Sequence, residues 1–172
     1  MTMATTLPAS LRIRGYEPGD FDAVWRLHRE GVMQTTPSYA EALPGYEDDL
    51  MDIAGTYLGD GRNFWVVEGA GGLVGMTAIQ RVDARTARLR RMRVTEAVRR
   101  RGIAQALLDR AIDFCREAGY ERLVLDSTEQ QTAAHTLYER AGFRRTGERS
   151  LGPFSVYDYA TRELQKQIHH LA

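Results

Sequence analysis

Apolar positions along the chain switch between two periods. Leu11, Ile13 and Tyr16 form a short alternating stretch that ends at Glu17-Pro18-Gly19, so a first strand stopped by a turn is expected there. Phe21, Val24, Trp25 and His28 then recur at helical spacing up to Gly31, with Asp20 placed to cap the helix. Beyond Pro37 and Pro44, the stretch 46–57 puts Leu50, Ile53 and Ala54 on one face and predicts a second helix. Residues 64–68 and 73–82 read as two strands joined by a glycine-rich hairpin turn, and a further strand spans 87–95. In that strand Leu89, Met92 and Val94 are spaced by three and then two. A regular strand repeats every two residues, so a β-bulge near Arg90 or Arg91 is expected if all three face one way.

The clearest helix runs over 102–118, with Ile103, Leu107, Ala111, Phe114, Cys115 and Ala118 on one face and Gly119 as its stop. Leu123-Val124-Leu125 is continuously apolar, as in a central strand covered on both faces. A helix over 131–140 closed by Gly142, strands over 143–148 and 154–160, and a terminal helix over 161–171 complete the pattern. The first ten residues read as a disordered lead-in, and 11–172 as a single domain of α/β character, an α+β mixed sheet with flanking helices.

Composition narrows the function classes. Acidic and basic residues number 23 each in a chain of 172, so nothing draws the whole molecule to nucleic acid or an anionic membrane. Cys115 is the only cysteine, which excludes an internal disulfide framework and a Cys-rich zinc site and favours a cytoplasmic, reducing setting. His28 and His135 are not spaced as a metal set, so no metal is expected. No apolar run approaches the length of a membrane span.

Charge is instead concentrated locally. Arg99-Arg100-Arg101 stands immediately before the small residues Gly102 and Ala104 at the start of the 102–118 helix. The first N–H groups of a helix lack internal partners and carry partial positive charge, so this turn is a candidate pyrophosphate site. The bulged strand leading into it would leave backbone groups unpaired, and an extended ligand with amides could pair with them. The pantetheine arm of coenzyme A has that form. The Gly-x-Gly-x-x-Gly pattern of a dinucleotide site is absent, and the glycines at 69–72 lack the Lys-Ser/Thr ending of a phosphate loop.

The run Arg99-Arg100-Arg101-Gly102-Ile103-Ala104 resembles the Arg/Gln-x-x-Gly-x-Gly/Ala motif of the GCN5-related N-acetyltransferases (GNAT). Further along, Ala134-His135-Thr136-Leu137-Tyr138-Glu139-Arg140-Ala141-Gly142-Phe143 is similar to the family's Ala-x-x-Leu-Tyr-x-x-x-Gly-Phe. The resemblance implies a mostly antiparallel central sheet with a splayed, bulged strand. It implies acetyl-CoA as cosubstrate, with the backbone of Met92, Arg93 and Val94 on the pantetheine and Arg99, Arg100, Arg101, Gly102, Ile103 and Ala104 around the pyrophosphate. Gln131 stands where many members carry Asn and would contact the pantetheine. Tyr138 would be the catalytic acid facing the sulfur, since a phenol with pKa about 10 stays protonated at neutral pH.

The implied reaction is acetyl transfer to a primary amine of a small molecule or amino-acid-like substrate by direct attack in a ternary complex. A protein or peptide acceptor is the alternative within the enzyme class, and a regulatory acyl-CoA-binding module without turnover is the contrasting class. The strand 87–95 offers arginines but no acid, so the proton acceptor falls to Asp126, Glu30 or Glu41, each of which reads more plainly as a solvated carboxylate or helix cap. Trp25, His28, Met33, Tyr39 and Tyr46 are candidates for an acceptor pocket, and edge strands near the C-terminus offer a route to a homodimer. Cys115 shares a face with core residues and is expected to be structural.

Overall fold

The computed structural model describes residues 6–35, 43–151, 154–161 and 164–165. Seven strands form one sheet in the order β1-β2-β3-β4-β5-β7-β6, with β1 Arg12–Gly15, β2 Asn63–Gly69, β3 Gly72–Arg81, β4 Thr86–Val94, β5 Arg122–Thr128, β6 Arg144–Leu151 and β7 Phe154–Thr161. Only β4 and β5 run parallel. Their crossover is α4, Ile103–Glu117, while α5, Thr132–Arg140, joins β5 to β6. On the N-terminal side lie α1 Phe21–Thr35, α2 Asp48–Met51 and α3 Ile53–Tyr57.

Strand β2 explains the layering. Its Phe64 and Val66 belong to a core with Val24, Leu27, Leu50, Ile53 and Tyr57, whereas Trp65 and Val67 belong to the core built on α4. Period-two alternation with all four positions apolar buries both faces of the sheet, the first under α1 to α3 and the second under α4. The C-terminal part is covered differently. Leu123 and Leu125 are buried with α4 and α5, while Val124 is half-buried and Arg122 and Asp126 are exposed. The expected cover on both faces of this strand is therefore found on one face only, although β5 does lie inside the sheet.

Other expectations need correction. The first helix does not stop at Gly31 but continues to Thr35, because Gly31 serves a close approach described below. Asp20 does not cap it. It ends a 3-10 turn, where its carboxylate accepts from Glu17 N at 2.9 Å and from Arg14 Nη1 and Nη2 at 2.7 and 2.9 Å. The single helix expected over 46–57 is split at Asp52, whose side chain accepts from Gly55 N at 3.0 Å. A short carboxylate that bonds a nearby amide begins a new helix rather than continuing the old one. Thr161 belongs to β7, and most of the expected terminal helix lies outside the described residues, as do residues 1–5 of the lead-in.

Candidate active site

Two irregularities in β4 build the cleft. Pairing with β5 lasts for Thr86, Ala87 and Arg88 only, and from Leu89 onward the two strands diverge. On its other side β4 pairs with β3, and the register slips between Met76↔Arg93 and Ala78↔Arg90. The extra residue is accommodated with Arg91 at φ 57, in the left-handed region, so the bulge expected from the 89, 92, 94 spacing is present. Leu89, Met92 and Val94 all pack on the α4 core, and Arg91 is turned to the opposite face.

Arg91 is held there by a buried ion pair. Its Nε donates to Asp49 Oδ2 at 2.9 Å, its Nη2 reaches Asp49 Oδ1 and the Tyr46 carbonyl, and its guanidinium lies 4.8 Å from the Tyr46 ring centre. Tyr57 donates its hydroxyl to the same Asp49 carboxylate. Burial opposes ionisation of Asp49, yet the Arg91 guanidinium outweighs it and holds the carboxyl below the usual range. Burial together with Asp49 pushes the Tyr57 phenol upward.

At the end of β4 the chain turns through Glu96–Val98 into a loop where Arg100 (φ 67) and Gly102 (φ 77) are both left-handed. Gly102 is the N-cap of α4, a position where a side chain would be strained. Arg99, Arg100 and Arg101 are exposed around this helix start, with Arg99 Nε donating to Val94 O at 3.3 Å, and Ile103 is buried beneath it while Ala104 is half-buried. Successive backbone N–H groups in such a turn form a concave, positively polarised surface suited to phosphate.

Tyr138 stands on α5, the helix that follows β5. It is 6% exposed, with its ring 5.8 Å from Phe143 and 6.2 Å from Tyr159. Burial pushes its phenol up to about 12, while the Arg93 charge pulls it down and Asp126 pushes it up. Gln131 precedes α5 as its N-cap, and its Oε1 accepts from Ser127 Oγ at 2.8 Å, so that end of the amide is engaged with β5.

The acceptor-pocket candidates divide. Trp25, His28 and Tyr46 do converge: the His28 ring is 5.6 Å from Trp25 and 6.1 Å from Tyr46, and Trp25 Nε1 donates to Leu50 O at 3.1 Å. Tyr39, Glu41 and the Met33 side chain lie outside the described residues. His28 is fully buried, with Nε2 2.8 Å from Glu47 Oε1 and Nδ1 without a hydrogen-bond partner among the described residues. Burial lowers its pKa, the Arg91 and Arg93 charges lower it further, and Glu47 opposes them. Of the candidate proton acceptors, Glu30 lines a cleft with Gly31, Arg93 and Arg99, whereas Asp126 is tied to Arg149 at 2.7 Å. His135 bonds Thr128 O at 2.9 Å as a packed structural ring. Cys115 is fully buried, and its thiol is pushed up to about 12 by that burial. Among the described residues, no group of three or more His, Cys, Asp or Glu could hold a metal ion, and no helix is long and apolar enough to cross a membrane.

Asp49, Glu47 and Tyr57 were not singled out from sequence. The available signal was an arginine at the inferred bulge, which had to face away from its apolar neighbours and find a buried acid.

A divergent parallel strand pair, a bulge and a helix that starts from a left-handed, arginine-rich turn describe the class of domain, and comparisons with known proteins give its family. The sequence profile of the Acetyltransferase (GNAT) family matches residues 24–143, and the chain belongs to that family. It is 45% identical over 102 residues to N-acetylaspartate synthetase of Danio rerio, covering 58% of this chain and 36% of that protein. It is 38% identical over 106 residues to N-acetyltransferase 8 of Homo sapiens, covering 58% and 47%. The chain thus spans half the length or less of these curated relatives. A solved acetyltransferase from Streptococcus agalactiae superposes with a TM-score of 0.77 at 22% identity, over 90% of this chain and 99% of that one. Acetyl-CoA is the acyl donor of this family, and N-acetyl transfer is its chemistry.

Proposed function

We propose that this protein transfers an acetyl group from acetyl-CoA to the neutral amine of a small, amino-acid-like acceptor by direct attack in a ternary complex. The observation that carries the reading is the β4–β5 divergence, with the left-handed turn at Arg100 and Gly102 following β4 and Tyr138 on the helix that follows β5. The residues fit the cosubstrate. Beyond Arg88 the β5-facing edge of β4 lacks a strand partner, which suits the amides of a pantetheine arm along Met92, Arg93 and Val94. Arg99 to Ala104 would hold the pyrophosphate, and Gln131 would approach the pantetheine from α5 through its amide.

Acetyl-CoA supplies the thioester when bound. The chain's own part is to align it, keep water away and move protons. Tyr138 remains protonated through the neutral range and would donate to the departing sulfur as the carbon–sulfur bond breaks. The amine, with an ordinary pKa about 10, must first lose a proton, and Glu30 is the described candidate that lines the cleft with Arg93. The name of the Danio rerio relative, an N-acetylaspartate synthetase, supports an amino-acid-like acceptor. The single, buried Cys115 suits a cytoplasmic setting, and the exposed strand β6 offers an edge for a second copy.

Calorimetric titration with acetyl-CoA, followed by thiol release over a panel of amines, tests the reading. Binding with release from small amines is expected. Release only with peptides would move the acceptor to that class, and binding without release from any amine would make the protein an acyl-CoA-binding module.

A further inference from the structure

The face of β4 turned away from α4 carries Arg88, Arg90, Arg91 and Arg93, with Arg91 buried and the other three half-buried, and their partners differ. Arg91 is neutralised by Asp49, and Arg90 stands 3.7 Å from the same carboxylate. Arg93 has no carboxylate within ion-pair distance among the described residues. Its Nη1 donates to Met92 O at 3.0 Å, and its Nε is buried with no hydrogen-bond partner among the described residues. Arg93 is half-buried, and a guanidinium partly withdrawn from water without a counter-charge is available to an anionic ligand.

Its surroundings indicate which ligand. Met92 and Val94 pack on the α4 core, so the Arg93 side chain between them is directed to the α1 face. There it lies directly against Gly31, where an added Cβ would come within 2.5 Å of both Cδ and Nε. The glycine in mid-helix is the seat for this guanidinium. The charge of Arg93 lowers the pKa of both Tyr138 and His28, so it stands within electrostatic reach of the proposed acid and of the aromatic acceptor pocket. It also lines the narrow cleft with Glu30, about 10 Å³ in volume, close to the space of one water or one carboxylate oxygen. The phosphate turn has its own exposed arginines.

Resting on the acetyltransferase reading, the geometry points to Arg93 as the specificity residue that binds the carboxylate of an α-amino acid acceptor. The guanidinium fork matches a carboxylate in shape and charge, and a built polar partner rejects a substrate lacking its complement far more strongly than an apolar pocket does. Holding the carboxylate at Arg93 would leave the α-amine, one carbon away, free to approach the thioester.

The test compares α-amino acids with their α-carboxamides as acceptors for the wild type, Arg93→Met and Arg93→Lys, with acetyl-CoA affinity measured by calorimetry on each. The wild type should favour the acid over its amide by about 100-fold in kcat/KM, mostly through KM. Arg93→Met should bring that ratio near one, and Arg93→Lys should restore part of it. A second readout needs no turnover. N-acetyl amino acids should raise the melting temperature of the wild type but not of Arg93→Met, their amides should raise neither, and ligand-free Arg93→Met should melt at or above the wild type. Equal use of acid and amide by an active wild type overturns the proposal and leaves the acetyltransferase reading standing. So does weakened acetyl-CoA binding in Arg93→Met, which would assign the cation to a donor phosphate, or a loss of folding in that variant, which would make it structural. If the wild type binds no acetyl-CoA, the functional reading fails, and the melting shifts still decide the carboxylate site.

Discussion

The guanidinium of Arg91 and the carboxylate of Asp49 meet with both side chains almost wholly withdrawn from solvent, 3% and 7% exposed. Arg91 holds a backbone angle that side chains rarely adopt, and Asp49 anchors the short helix α2, so one ion pair fixes both the bulge and the element packed over it. Removing one partner strands the other as a buried charge. Asp49→Ala is expected to cost about 3–5 kcal/mol, read as a lower urea midpoint. Replacing both residues by apolar ones should recover part of that loss, since the stranded charge is then gone.

Acid sensitivity should come in two steps. His28 is depressed by burial and by Arg91 and Arg93, so its contribution is present above the unfolded histidine value of about 6.5 and is lost as pH falls below it. Asp49 and Asp20 are depressed by Arg91 and Arg14, so theirs is present above about 3.9 and is lost below that. Denaturation midpoints measured from pH 8 to pH 3 should fall in both windows. His28→Gln should flatten the upper window and leave the lower one.

Tyr138→Phe should lower kcat by about 100-fold or more, the usual contribution of a positioned acid, with acetyl-CoA affinity nearly unchanged. Because burial raises this phenol to about 12, its titration should leave no mark on the rate profile below pH 10. A fall in rate between pH 8 and pH 10 that disappears in the Phe variant would remove the assignment.

At Gly102, the left-handed N-cap of α4, an alanine introduces strain of about 1–2 kcal/mol in the turn proposed to hold the pyrophosphate. Acetyl-CoA binding to Gly102→Ala should weaken about tenfold by calorimetry, since each tenfold is about 1.4 kcal/mol. An unchanged affinity would place the pyrophosphate elsewhere.

Cys115 should not react with a thiol reagent in the folded protein, because burial pushes its thiol up to about 12. Cys115→Ala should keep its turnover per folded molecule. Trapping an acetylated Cys115 after mixing with acetyl-CoA would contradict direct transfer.

Much of the frame was legible because local patterns and tertiary packing agree. The 89, 92, 94 spacing located the bulge, and Gly119 and Gly142 ended their helices with φ of 85 and 96. What escaped depends on distance in space. Nothing near Arg91 announces Asp49, 42 positions away, and nothing in the order of the last two strands shows that β7 inserts between β5 and β6. Gly31 misled for a related reason. A glycine within a helical pattern reads as a stop, but here its missing side chain makes room for Arg93 from another element. Tyr138 and the arginine turn could be proposed from sequence because each lies in a contiguous motif, Ala134 to Phe143 and Arg99 to Ala104.

The brief contact of β4 with β5 has a further consequence. Three residue pairs join the two halves of the sheet, so the protein carries two strand edges in its interior rather than only at its margins. Exposed edges invite pairing with other chains. Acetyl-CoA lying between them would act as a removable strand, and the empty protein should be the form more prone to self-association. Supply of the cosubstrate would then govern how long the enzyme lasts as well as how fast it works.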